Sequence, residues 1–498
     1  MPDQNTNVPV FETIPVEEEP SMPSQQPSDT IIPEVIPEEL TPEDVSASGG
    51  SGEPPSVDDS LPPMMEEEDD HKKKFIFIAI GVAVFLVIFF FVLSLLFSLG
   101  KKTEKVELEY WGLWEDEKIY EGVIQDYEKA HPSVNITYVK QAPEDYRLKL
   151  LARIKEGNGP DIFRFHNTWL PTIAEIVSPL PSKVMSNEVF ESTFYKVAQN
   201  DLKIGNSYYG LPLEIDGLVL IYNNELLRKA GITSPPKTWE ELLNAANTLR
   251  VQDADGNILT SGISLGTANN IEHYSDILGW MLLQNGANLN KLDSNEAIEV
   301  LANYRQFAEP PLNFWSDKMP NNISAFIQGK VAMIIAPSWR ILEIKAANAE
   351  LEVKATSLPL LSGNQPLSLA TYWVEGVSKA SKNQLEAWQF LNFLIQKDTM
   401  TKLYQTQSQT RLFGEPYSRV DLRESLAQNE YIGPVVEQAL YMQSLPMISR
   451  TFDKGINEEI IAYIEDAINA TMKGVSYNQA FATASKGVEQ VFAKYNIK

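Results

Sequence analysis

From Val106 onward the chain alternates short apolar runs with segments whose apolar positions recur every three to four residues. Val106–Trp111 reads as a strand, Lys118–Ala130 as an amphipathic helix and Asn135–Lys140 as a second strand. Tyr146–Gly157 is again helical, with Gly157 and Gly159 to stop it, and Asp161–Phe165 reads as a buried strand. A β–α–β–α–β order predicts a parallel sheet with helices on both faces. Ligands of such sheets bind outside the carboxyl ends of the strands. The loops that follow the strands are therefore where chemistry is sought.

One stretch breaks the alternation. Phe75 to Gly100 is 26 residues without a charge, bounded by Lys72–Lys74 on one side and by Lys101 and Lys102 on the other. A helix needs about 20 apolar residues to cross a bilayer, so a single transmembrane helix over 75–100 is expected, with the lipid bilayer as a partner. It begins too far into the chain, and is too long, for a cleaved signal peptide, and no small-x-small site follows it. Lys72, Lys73 and Lys74 before it and Lys101, Lys102, Lys105 and Lys118 after it balance too evenly for the positive-inside rule to orient it. Residues 101–105 form a short tether.

Charge separates the chain into three parts. Residues 1–74 carry 19 acidic residues against three lysines, hold 13 of the 31 prolines and have Phe11 as their only aromatic. Such a segment cannot bury enough apolar surface to offset the entropy of ordering. It is expected to be a disordered acidic tail, a solvated spacer or a docking arm. The whole chain has a formal net charge of −26 and no cysteine. The charge argues against a nucleic-acid partner. The missing thiols exclude disulfides, zinc ribbons and cysteine nucleophiles. Four histidines leave little for metal chemistry, and no metal or cofactor is expected.

The loops after the strands are aromatic and polar. The first strand runs into Trp111-Gly112-Leu113-Trp114-Glu115-Asp116, and the third into Phe165-His166-Asn167-Thr168-Trp169. Gly210-Leu211-Pro212-Leu213-Glu214-Ile215-Asp216-Gly217 places two carboxylates before the apolar run Leu218–Tyr222.

Several further segments carry a resemblance when taken in order. They are Gly157-Asn158-Gly159-Pro160-Asp161-Ile162, then Gly210-Leu211-Pro212 leading to Leu220-Ile221-Tyr222-Asn223-Asn224, then Pro235-Pro236-Lys237-Thr238-Trp239-Glu240-Glu241. Phe326-Ile327-Gln328-Gly329-Lys330-Val331-Ala332-Met333 followed by Pro337-Ser338-Trp339 comes next, and Gly376–Asn383 leading to Ala387-Trp388-Gln389-Phe390-Leu391 closes the series. Together they resemble the extracellular solute-binding proteins of ABC importers, above all the maltose-binding-protein-like, sugar-binding group (family 1). The likeness covers essentially all of 106–498 and none of 1–100.

The resemblance implies an α/β, two-lobed, periplasmic-binding-protein type II-like fold that closes like a hinge on its ligand. Lobe 1 would be about 106–214 plus 376–412 and lobe 2 about 217–371 plus 416–498. Crossings fall near Leu213–Gly217, Tyr372–Glu375 and Leu412–Pro416. It also implies an extracytoplasmic domain with a cytoplasmic tail, a carbohydrate ligand and ABC permease subunits as partners, and no catalysis. A membrane-tethered sensor or adhesion module and a membrane-bound glycoside hydrolase are the alternatives.

Sugars present apolar ring faces rimmed with hydroxyls, so they call for aromatic platforms beside carboxylates, amides and guanidiniums. By the resemblance, Trp339 stands at the position of a stacking tryptophan and Asp216 at that of a ligand-binding carboxylate. Phe165, Thr168 and Trp169 occupy a contact stretch, and Trp114 and Glu115 lie in a cleft-lining loop. Glu214, Trp280, Tyr372, Trp373 and Arg411 complete the candidate set. Trp239 and Trp388 read as core, Trp315 fits either reading, and His166 reads as a surface-loop histidine. Thr168-Trp169 replaces an acidic–basic pair of the maltose pattern, and Ile460-Ile461 replaces a stacking aromatic, which points to a sugar other than maltose.

Two enzyme-like patterns fail on chemistry. Gly262-Ile263-Ser264-Leu265-Gly266 matches G-x-S-x-G, but an elbow needs an acid and then a histidine downstream, and only His273 follows. Asp253-Ala254-Asp255-Gly256-Asn257 places its glycine fourth, whereas a calcium loop needs it sixth. A tight turn is the expectation there.

Overall fold

The computed structural model describes residues 70–99, 105–361 and 365–497. The acidic tail over 1–69 and the tether over 101–104 lie outside the described residues. The chain divides into two units, one of which contains the helix Asp70–Leu99 and the other the chain from Glu104 on.

The helix Asp70–Leu99 has 30 residues. Its described side chains, at 77, 78 and 80–92, are apolar and exposed. Among the described residues no helix is long and apolar enough to cross a membrane. The side chains at both ends of the expected span lie outside the described ones.

The larger unit holds two five-stranded sheets. In the first, Val134–Lys140, Val106–Gly112 and Ile162–His166 run parallel in that order. Trp373–Val377 joins antiparallel to Ile162–His166, and Leu211–Pro212 follows at the edge. The parallel core matches the sequence expectation to within a residue or two. The antiparallel strand arrives from 200 residues away, and periodicity carries no signal for that pairing.

The second sheet runs Val353–Thr356, Leu218–Asn223, Val331–Pro337, Ile258–Ile263 and Val251–Gln252. Every residue of Leu218–Asn223 and Val331–Pro337 is buried, as expected for strands covered by helices on both faces. One such helix, Trp239–Leu249, is capped by Thr238, whose hydroxyl accepts the Glu241 N–H at 3.2 Å. It lies so close to the sheet that a Cβ on Gly262 would meet the Ala246 oxygen at 2.2 Å. Helices Ile456–Met472 and Tyr477–Tyr495 pack on each other and on the helices of this second lobe.

The chain passes from the first sheet to the second between Leu211–Pro212 and Leu218–Asn223, and returns between Val353–Thr356 and Trp373–Val377 by way of Ser368–Leu369, which pairs with Met442–Gln443. These connections are stitched together. Gly217 bridges Ala370, Thr371 N–H donates to the Asp216 carbonyl at 2.9 Å, and Ile215 N–H donates to the Pro416 carbonyl at 2.9 Å. A Cβ at Gly217 would lie 2.5 Å from the Leu369 oxygen, so the close approach requires glycine.

Candidate functional site

Strand ends from both sheets converge on a cavity of about 290 Å³. The first sheet contributes Trp114 from the loop after Val106–Gly112, His166 at the end of Ile162–His166, and Trp373 at the start of its antiparallel strand. The second contributes Pro337, then Trp339 and Arg340 where the helix Arg340–Ala347 begins. The connections between the sheets add Glu214, Asp216, Thr371, Arg411 and Glu415. Leu342 and Glu343 of the helix Arg340–Ala347, with Ser449, Arg450 and Phe452, complete the wall. Arg450 and Phe452 have φ of 61° and 53°, a region unusual for side chains of this size.

The aromatic lining has two parts. Trp114 meets Trp373 edge-on at 5.7 Å and Phe452 at 5.9 Å, while Trp373 also contacts His166 at 5.2 Å and Trp169 at 5.4 Å. On the opposite side Trp339 carries the Arg340 guanidinium 4.2 Å from its ring centroid and His273 edge-on at 5.8 Å. Trp339 is thereby held in orientation while still facing the cavity.

Polar groups are tightly partnered. Asp216 accepts the Gly217, Ser338 and Trp339 N–H groups at 2.7, 3.3 and 3.4 Å, joining a connection between the sheets to the Trp339 turn. Burial nevertheless raises its pKa to about 7, against the lowering by its bonds to Gly217 and Ser338. Arg340 donates from Nε to His273 at 3.0 Å and pairs with Glu272 and Glu343, while Arg450 pairs with Glu272 at 2.7 Å. Burial alone would raise Glu272, but these two cations hold it below the usual carboxylate range.

Glu214 accepts the Trp373 N–H at 3.1 Å. Its carboxylate, that of Glu415 and that of Glu115 lie within 4.8 Å of one another. Arg411 pairs with Glu415 at 2.5 Å, and Arg164 pairs with Glu115 at 2.7 Å and with Glu375 at 2.6 Å. Burial, then the neighbouring Glu415, push Glu214 well above the usual range. Glu415 is held below it, because Arg411, Glu214 and Arg164 together outweigh the burial that would raise it. The two shifts run in opposite directions, favouring the neutral form at Glu214 and the ionised form at Glu415. Among the described residues this is the one group spaced to hold a metal ion. With two of its carboxylates already paired to arginines, it acts as an ion-pair network.

Sequence-derived candidates divide on placement. Trp114, Glu214, Asp216, Trp339, Trp373 and Arg411 line the cavity. Five others stand outside its wall. Glu115 is tied to Arg164, and Thr168 is bonded to His166 at 2.8 Å and Asn457 at 2.8 Å. Trp169 backs Trp373, Tyr372 donates to Asp201 at 2.8 Å, and Phe165 is fully buried under Gly210 and Gly376. Trp280 is a correction. It is fully buried, stacks on Trp239 at 5.2 Å and donates to the Leu367 carbonyl at 3.1 Å, so it is core. Trp239, Trp315 and Trp388 are core as well.

His166 is the opposite correction. Only 1 % exposed, it lines the cavity between Thr168 and Thr371. Burial lowers its pKa to about 3, which keeps the imidazole neutral. Arg340, Glu415, Arg450 and Phe452 were missed. Arg340 could have been suspected from its place beside Trp339, whereas nothing in the pattern around 449–452 marks a site.

The G-x-S-x-G glycines are explained by packing. Gly262 admits the helix Trp239–Leu249, and Gly266 has φ of +104° with Ala308 against it. Ser264 is fully buried, and His273 is engaged by Arg340 and by Ser449 at 2.8 Å. At the other pattern, Asp253 closes an exposed tight turn by accepting the Asp255 and Asn257 N–H groups at 3.0 and 2.8 Å.

Behind the cavity Asp201 is half-buried and accepts from Ser444, Tyr372 and Asn167 at 2.7, 2.8 and 2.9 Å. Burial raises its pKa to about 6 despite these donors. A carboxyl whose folded pKa lies above its unfolded value stabilises the fold most below about pH 4 and loses that contribution as pH rises through 6. In urea titrations at a series of pH values, Asp201→Asn is expected to lack this decline. A stability difference from the parent that stays constant from pH 4 to 7 would contradict the assignment.

Residues 122–410 match the family model described as bacterial extracellular solute-binding protein. A putative binding protein of Brucella abortus is 26% identical over 302 residues, covering 58% of this chain and 71% of the relative. The maltotriose-binding protein of Pyrococcus abyssi is 22% identical over 301 residues, covering 57% of this chain and 61% of its own. The solved sugar-binding protein of Xanthomonas citri superposes with a TM-score of 0.65 at 19% identity, over 78% of this chain and 98% of that one. Its likeness establishes the two-lobed fold.

Proposed function

Because the chain belongs to the bacterial extracellular solute-binding proteins, we propose that it captures a carbohydrate between its two lobes and hands it to the permease of an ABC importer. The observation that carries this reading is the cavity itself. Trp114 and Trp373 face it from the first sheet and Trp339 from the second, with Glu214, Asp216 and Arg411 between them. Rings supply platforms for apolar sugar faces, and the charged groups bond hydroxyls strongly. The names of the maltotriose-binding and sugar-binding relatives agree with it.

On this reading Trp114, Trp339, Trp373, Glu214, Asp216 and Arg411 contact the ligand. Glu115, Phe165, Thr168, Trp169 and Tyr372 support them from behind. The lobes divide at about 106–214 plus 376–412 and 217–371 plus 416–498, and ligand contacts to both favour the closed form. The role is capture without catalysis. Residues 75–100 serve as a single-pass anchor with the tail cytoplasmic and the lobes outside. Tethering raises the binder's effective concentration at the permease.

The test is a thermal-melt screen of the full chain in detergent against saccharides, polyols and amino acids. A ligand at 100 times its Kd adds about 2.7 kcal/mol to stability. A saccharide-selective rise in melting temperature is expected. Shifts with amino acids and none with any saccharide would replace the carbohydrate by another solute.

A further inference from the structure

Carboxylates outnumber guanidiniums at one end of the cleft. Glu115, Glu214, Glu375 and Glu415 gather around Arg164 and Arg411, the two cations among the described residues that pair with members of this group. Glu115 Oε1 is buried with no hydrogen-bond partner, although the residue is only 5 % exposed. At the other end the charges are already matched, with Arg340 and Arg450 taken up by Glu272 and Glu343. The cleft therefore presents the carboxyls of Glu214 and Glu415 at the Trp373 end, backed by Glu115 and Glu375, and among the described residues its wall holds no uncommitted cation for an anionic ligand.

We propose that the cleft selects a saccharide bearing a free amino group and seats its ammonium against Glu214 and Glu415. This rests on the carbohydrate reading and narrows it to a ligand class. An ammonium brings three donors to groups that, once ionised, only accept. It also brings a positive charge that stands where the carboxyl pair otherwise holds a proton. The proton held by the Glu214–Glu415 pair passes to solvent as the ammonium takes its place, so the net charge of the cluster is unchanged.

The rings cooperate. Glu214 is bonded to the Trp373 N–H, which places the Trp114–Trp373–Phe452 group at the same end as the carboxylates. Aromatic faces attract cations, most strongly when desolvated. Uronic acids and sugar phosphates would instead place their charge against the surplus carboxylates, or break the Arg340 and Arg450 pairs.

The test is isothermal titration of the full chain in detergent with gluco- and galacto-configured mono- and disaccharides. Each is supplied in three forms that differ at C2 alone: free amine, N-acetyl and hydroxyl. The free amine is expected to bind at least tenfold tighter than its hydroxyl counterpart, with an enthalpy that varies with the buffer's ionisation heat because a proton is released. Glu415→Gln should bring that ratio close to one. If that variant does not fold, the ratio and the buffer dependence in the parent chain decide. Hydroxyl or N-acetyl forms binding as tightly as the amine would overturn the preference and leave the carbohydrate reading standing. A panel in which no member binds would overturn both.

Discussion

Arg164→Met is expected to cost the folded chain about 3–5 kcal/mol, the penalty for removing one partner of a buried ion pair. Arg164 is 2 % exposed and bonds Glu115, Glu375 and the Tyr120 hydroxyl at 2.7, 2.7 and 2.9 Å. Methionine fills a similar volume but leaves two carboxylates buried without a cation. Urea denaturation of parent and variant measures the loss. Adding Glu115→Gln and Glu375→Gln to the variant should restore part of it, since neutral amides need no counter-charge. A loss below about 1 kcal/mol would mean that water reaches these carboxylates, which the geometry does not provide for.

Trp339→Ala is the second large effect, and it falls on affinity. Aromatic anchors at the centre of an interface commonly cost about 2 kcal/mol or more when truncated, which is about thirtyfold in Kd. Trp339 is half-buried, so truncation should spare folding. Trp339→Phe keeps a ring over Arg340 and should fall between parent and alanine. The check is titration with whichever saccharide stabilises the parent, alongside a melt of the unliganded variant. Unchanged affinity in a folded Trp339→Ala would move the ligand to the Trp114–Trp373 side alone.

The parallel part of the first sheet was legible because each element is local. Capping residues, a helix-stopping glycine and apolar runs all lie within ten or so residues of what they control. The pairing of Trp373–Val377 with Ile162–His166 was not, because nothing local selects a partner 200 residues away. The same limit governs the site. Trp339 and Asp216 stand in motifs that recur in order, and both reach the cavity. Trp280 lies on a helix whose nine residues Tyr274–Leu282 are all buried, where composition alone cannot tell a core ring from a platform. His166 ends a strand buried along its whole length. Taking it for a loop residue missed that the strand carries it inward. Phe452 and Arg450 reach the cavity through an irregular, positive-φ segment that leaves no periodic trace.

The stitched connections between the sheets have a mechanical meaning. Segments around Asp216, Ala370 and Pro416 share backbone hydrogen bonds, so none of them can twist without carrying the other two. Separate linkers would let the lobes shear, swivel and stretch independently. A single ribbon leaves one soft direction, a flexure about its own long axis. Any receiver that touches both lobes then reads one scalar quantity, the opening angle, whatever the shape of the molecule held inside. On the proposed capture role, recognition by the cleft and reporting to a receiver would thereby be decoupled, and the wall residues could change without altering the signal.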